Sequence, residues 1–274
     1  MSTSLEVPDR LELVMDGAGL LAGAANVIMQ LSRPAVGYGV VESRVESGQI
    51  FRHPIKRTRT TLTYLAVAAR GTDEEKEAFR NGVNRVHAKV QSGPDSPVQY
   101  DAFDPELQLW VAACIYRGFE DVHCSMHGEL SPAAAEVFYK EGATFGTTLQ
   151  VPPEMWPEDR VAFEEYWNKA LADVSIDDTI RAHVLSIARL EFLPAIVSRL
   201  FGRLNLFFTT GFLPPLFRDQ MHLTWTAKDQ RRFDRTMSTI GAVSRRIPVT
   251  IRELPYILLM RDLRRRMRTG KPLV

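Results

Sequence analysis

The chain has 274 residues, 45% apolar and 24% charged, enough to fold around a substantial core and too apolar for a disordered polymer. Its 34 basic and 33 acidic side chains leave a net charge of +1, so no nucleic-acid partner is expected. Cys114 and Cys124 form neither a disulfide framework nor a cysteine-rich metal site, and no apolar run reaches the roughly 18 residues of a membrane span. The opening MSTSLEVPDRLELVMDG lacks the basic and apolar runs of a secretory leader, so a cytoplasmic chain is expected.

In chain order, AGLLAGAANVIMQL (18–31) suits a buried helix, and Pro34 predicts a break followed by a turn and a short helix. IKRTRTTLTYLAVAARG reads as a helix ended by Gly71, with a strand as rival because of its threonines and Tyr64. TDEEKEAFRNGVNRVHAKVQSG predicts a helix capped by Thr72 and stopped at its closing glycine. Phe79, Val83, Val86 and Val90 recur at the spacing of its inner face, and His87 lies among them.

Asp104 and Pro105 start the next helix, DPELQLWVAACIYRGFEDV, and Ser131 and Pro132 start another. Helices follow at 158–173, 177–190 and 191–206, then a turn or short helix at 213–226, a helix in AKDQRRFDRTMSTIGAVSRR and a basic terminal helix. The expected organisation is all-α: an extension over 1–14, one large helical domain over 15–245, and a basic helix or tail over 246–274.

A neutral imidazole on a helix can ligate haem iron, and a guanidinium can pair with a propionate. RTRTTLTY offers Arg57 and Arg59 ahead of His87, and Arg57 and Thr61 share a helical face at four-residue spacing. From spacing alone, a network of structural histidine and arginine competes with that reading. In HCSMHG, His123 and His127 have the spacing of two metal ligands and also of a solvated or capping segment. DDTIRAH places Asp177, Asp178, Arg181 and His183 together, where capping and charge pairing are simpler than acid-base chemistry. RDLRRRMRTGK, after the apolar PYILLM, reads as a solvated basic end or as a peripheral membrane contact.

The blocks MQLSRPAVGYGVVES, RTRTTLTYL, RVHAKVQSG and YDAFDPELQLWVAA occur in an order that resembles the DUF2236 family, also described as the MpaB-like or latex-clearing-protein oxygenase domain. The resemblance spans roughly residues 15–240. It implies an all-α fold of the MpaB-like oxygenase type holding haem b, a hydrophobic and in some members isoprenoid-like substrate, dioxygen, and an electron donor. On the matching blocks, His87 resembles the axial iron ligand, Arg57 and Thr61 the polar group of the haem pocket, and Arg59 a neighbour of it. Tyr100 and Asp104 resemble a pattern assigned to support of the fold. The family commonly has a histidine before the first block's proline and a His-Ser pair after its glycine-valine segment. This chain has Arg33 at the former, and Glu42, Ser43 and Arg44 in the latter region, which leaves a second axial ligand unassigned. The competing reading is a helical binding or structural protein without haem, peripheral to membranes.

Overall fold

The computed structural model describes residues 17–274, so the extension expected over 1–14 lies outside the described residues. Among the described residues there are fourteen α-helices and no strand, only one isolated antiparallel bridge between Gln91 and Asp101. None of these helices is long and apolar enough to cross a membrane.

The centre is α5 (Pro105–His127), capped by Asp104, whose Oδ1 accepts from the Glu106 and Leu107 amides at 2.8 and 3.3 Å. It is buried along its length from Gln108 to Met126, and against it pack α1 (Gly23–Leu31), α7 (Thr144–Thr147), α12 (Ala227–Ser244) and the 3-10 turn Gly17–Ala22. The crossing with α12 has no room for a side chain at Gly241, where a Cβ would stand 2.0 Å from the Met126 carbonyl oxygen. One flank of α5 is aromatic: Tyr116 lies within 5.9 Å, ring centre to ring centre, of Phe138, Tyr139, Trp156 and Phe163.

The strand rival for residues 55–71 is overturned: α3 is helical over Pro54–Arg70, with Pro54 in its first turn and Thr60, Thr63, Ala66, Val67 and Ala68 turned inward. Two residues join it to α4 (Asp73–His87). Gly71 accepts no larger residue without movement, since a Cβ there would lie 2.6 Å from the Val67 carbonyl oxygen. Thr72 then begins α4 with a capping box: its side chain accepts from the Glu75 amide, and its own amide donates to Glu75 Oε2. The helices return antiparallel. Tyr64 stacks on Phe79 midway, each six residues from its end of the link, with ring centres 6.3 Å apart.

Two boundaries differ from expectation. α4 stops at His87, short of Val90 and the glycine, because the chain turns there: the Val90 amide donates to the His87 carbonyl, and the Ala102 amide to that of Val90. α10 begins at Ala195, after Leu190 at positive φ and Pro194 interrupt the expected 191–206 helix, and runs to Phe212. The remaining elements are α2 (Pro34–Val41), α6 (Pro132–Gly142), α8 (Arg160–Ala170), α9 (Asp178–Ala188), α11 (Pro215–Gln220), α13 (Val249–Arg252) and α14 (Leu254–Arg268). α14 lies along α3 with Tyr256, Met260 and Leu263 buried, and Arg264 reaches Glu75 at 2.6 Å.

Candidate functional site

The α3–α4 hairpin sets the site's position. Arg57 lies thirteen residues before the end of α3 and His87 fourteen after the start of α4, so both stand about 20 Å from the link, side by side at the open end. Sequence neighbours do not produce this pairing; near-equal distances along the two helices from their link do.

The His87 imidazole is half-buried, its Nδ1 is fully buried, and that nitrogen has no hydrogen-bond partner. Phe103 presents its edge to the ring at 6.1 Å. Burial, reinforced by the positive charge of Arg57 and opposed by Asp101, pushes the imidazole pKa down to about 4, so the ring is neutral at pH 7. Arg57 is also held below the ordinary guanidinium range by desolvation, with no acidic side chain among the described residues opposing that shift. A partly desolvated cation with no counter-charge among the described residues is suited to receiving an anion.

The other two predicted residues point elsewhere. Arg59, two positions and about 200° around the helix from Arg57, faces α14; desolvation lowers its pKa, Arg266 adds to the shift and Asp262 opposes it. Thr61 is exposed one turn beyond Arg57. The structure thus brings Arg57 and His87 together and leaves Arg59 and Thr61 outside the pair.

Amide side chains absent from the sequence reading close one wall. Gln150 donates through Nε2 to Asn84 Oδ1, one helical turn before His87, and its backbone amide donates to Gln108 Oε1 at 3.1 Å. Gln108 in turn donates to the Ala102 carbonyl at 2.7 Å, beside Phe103. Gln150 Oε1 is buried without a partner, a second unsatisfied polar atom in the neighbourhood of His87. A glutamine after TFGTTL carries no sequence signal, since its partners come from residues 66 and 42 positions away.

Most of the remaining candidates have structural partners; His183 is the exception, its Nε2, like His87 Nδ1, being buried without a hydrogen-bond partner. Asp104 caps α5, and the Tyr100 hydroxyl donates to Glu42 at 3.0 Å. Arg33 pairs with Asp173 at 3.0 Å and lies over the Trp110 ring, so Arg33 and Glu42, at the departures from the family pattern, are tied into the scaffold. The His123 and His127 rings are 5.1 Å apart, and His127 Nδ1 lies 3.2 Å from Arg245; among the described residues no three His, Cys, Asp or Glu side chains gather as a metal site. Asp177 caps α9 and accepts from the Tyr38 hydroxyl, Asp178 pairs with Arg181, and burial lowers the pKa of His183, which meets Phe51 edge-on. Two open clefts, of 390 and 480 Å³, lie along α4 and do not include His87.

Haem needs a neutral imidazole for its iron and cations for its propionates. The unpartnered His87 nitrogen and the uncompensated Arg57 guanidinium fit those two needs.

Residues 11–242 match the family described as "ER-bound oxygenase mpaB/B'/Rubber oxygenase, catalytic domain". The chain is 49% identical over 255 residues to "Uncharacterized protein Rv2237" of Mycobacterium tuberculosis and equally to "Uncharacterized protein Mb2261" of Mycobacterium bovis, covering 93% of this chain and 100% of each relative. No solved structure matches it.

Proposed function

The chain belongs to the mpaB and rubber-oxygenase catalytic-domain family, and from that premise we propose that it is a haem b-dependent oxygenase acting on a hydrophobic, isoprenoid-like substrate with dioxygen. The observation that carries the reading is the half-buried, neutral His87, whose Nδ1 has no hydrogen-bond partner, beside an Arg57 to which no described residue supplies a counter-charge.

In this reading His87 would hold the haem iron, available at neutral pH without first losing a proton, and Arg57 would pair with a propionate. The haem, when bound, supplies the activation of dioxygen. The chain's own residues perform the rest. Phe103, edge-on to the His87 ring, gives that end of the hairpin an apolar neighbour that favours a hydrophobic molecule over water, while the stacked Tyr64 and Phe79 hold the two helices together. The Asn84–Gln150–Gln108 chain fixes the wall next to the imidazole, and Asp104 anchors the helix from which Gln108 projects. Arg59, facing α14, and Thr61, exposed, have no part in this pairing.

The test is an absorption spectrum with iron analysis of protein produced with ample haem. A Soret band with about one iron per chain is expected; His87→Ala abolishes it, and Arg57→Met lowers haem affinity about tenfold, the worth of one charge-assisted contact. A wild-type chain that folds yet shows no Soret band after reconstitution overturns the proposal in favour of a helical protein without haem.

A further inference from the structure

The first half of α10 exposes a broad apolar surface. Ile196, Leu200, Phe201 and Leu204 are 69, 67, 53 and 50% exposed, on a helix whose other side is pressed inward at Gly202, where a Cβ would meet the Arg189 carbonyl oxygen at 2.4 Å. The spacing at 196, 200 and 204 puts three of them on one stripe. Arg199 and Arg203 run along its border, both exposed and without an ion pair or hydrogen bond among the described residues, and α10 contains no acidic residue. Single exposed apolar residues are ordinary on a protein surface; four adjoining ones bordered by cations are not.

We propose that this face of α10 docks on an anionic lipid bilayer, with the apolar stripe entering the headgroup boundary and Arg199 and Arg203 meeting lipid phosphates. A helix with an apolar arc and a cationic border lies in the interface plane without crossing it. Charge decides against a second copy of the chain: two such faces packed together would set arginines near arginines, with no acid on either helix to answer them. The neighbouring turn Gly17–Ala22, which packs on both α10 and α14, exposes Leu20 and extends the apolar surface. Docking would place the protein where apolar small molecules concentrate. It does not depend on haem and stands or falls separately from the proposed oxygenase activity.

The test is sedimentation of the full chain with vesicles of phosphatidylcholine and phosphatidylglycerol in equal parts, and with phosphatidylcholine alone. Binding to the anionic vesicles is expected to weaken at least tenfold with Leu200→Asp/Leu204→Asp. Arg199→Gln/Arg203→Gln, which leaves the apolar stripe intact, weakens it about tenfold, in line with the attraction of each arginine to an anionic surface. Arg261→Gln/Arg268→Gln, on α14, leaves it unchanged. No sedimentation of the wild type at low salt overturns the proposal, as does binding lost with the α14 arginines and retained by the α10 variants. Concentration-dependent self-association abolished by Leu200→Asp/Leu204→Asp assigns the face to a second copy and overturns it equally.

Discussion

Of the regions that take arginine out of water, two treat it oppositely. Along the aromatic flank of α5, Arg117 reaches Glu164 at 2.6 Å and Glu120 at 3.3 Å, while Arg160 reaches Glu120 at 2.9 Å. The Tyr116 hydroxyl adds a further bond to Glu120, and Arg117 lies over the Phe163 and Trp167 rings. Every cation there has an anion. At the open end of the α3–α4 hairpin, no described residue supplies Arg57 with an anion, and the imidazole beside it has an unfilled nitrogen. Both regions are partly desolvated, so burial alone does not distinguish them; what differs is whether the protein completes its own electrostatics. The difference lies in charge and not in hydrogen bonding, since Arg117 Nε and Arg160 Nη1 are themselves buried without a hydrogen-bond partner.

The largest break in this comparison comes from opening the closed side. Glu120→Gln leaves Arg160 without its carboxylate and Arg117 with only one, which is expected to cost about 3 kcal/mol, a fall in Tm of roughly 5–10 °C followed by circular dichroism. An unchanged Tm would mean that the aromatic rings, and not the carboxylate, hold those guanidinium groups.

Next in size is the acid response of His87. Its folded-state pKa of about 4 lies below the ordinary histidine value of 6.5, so between these limits the unfolded chain binds more protons and stability falls as pH falls. The full effect is about 3 kcal/mol. Urea titrations at pH 7 and pH 4.5 should show a larger loss for the wild type than for His87→Leu, which lacks the group; equal losses would show an imidazole already reached by water. Asp121 works in the other direction, since burial raises its pKa to about 7 and stability attributable to it declines as pH rises from 4 to 7. The comparison with His87→Leu at matched pH removes that background.

The smallest effect sharpens the contrast best. Arg57→Met, in protein free of haem, removes a desolvated charge with no anion to lose, so stability is expected to stay within about 1 kcal/mol of wild type or rise above it. The same substitution removes a positive neighbour and raises the His87 pKa, measurable by imidazole proton resonances. A large loss of stability would show that Arg57 has a structural role as Arg117 does.

Much of the scaffold is legible as punctuation. Thr72 with Glu75, Asp104 with Pro105, and Ser131 with Pro132 start helices where their side chains cap them. The end of α4 is not, because the valines continue the helical period through Val90 while the actual stop is dictated by long-range closure, Ala102 bonding to Val90 and Asp101 bridging to Gln91. At the site, the family blocks single out His87 and Arg57, and the structure brings these two side by side. Thr61 shares the nominal face with Arg57 but is exposed, and Arg59 turns to α14, differences that depend on what packs around α3. The Gln150 chain is invisible from sequence because an amide has no distinguishing pattern until its distant partners are in place.

The two-residue link at Gly71 and Thr72 works as the zero mark of a ruler. Since Arg57 and His87 are placed by counting residues outward from that mark along two helices, their meeting survives many changes of side chain and few changes of length. Removing one turn from α3 alone would slide the cation about 5 Å along the imidazole's helix, while removing a turn from both would move the pair together. Related chains are therefore free to vary the composition of this hairpin, but its two arms must lengthen or shorten in step.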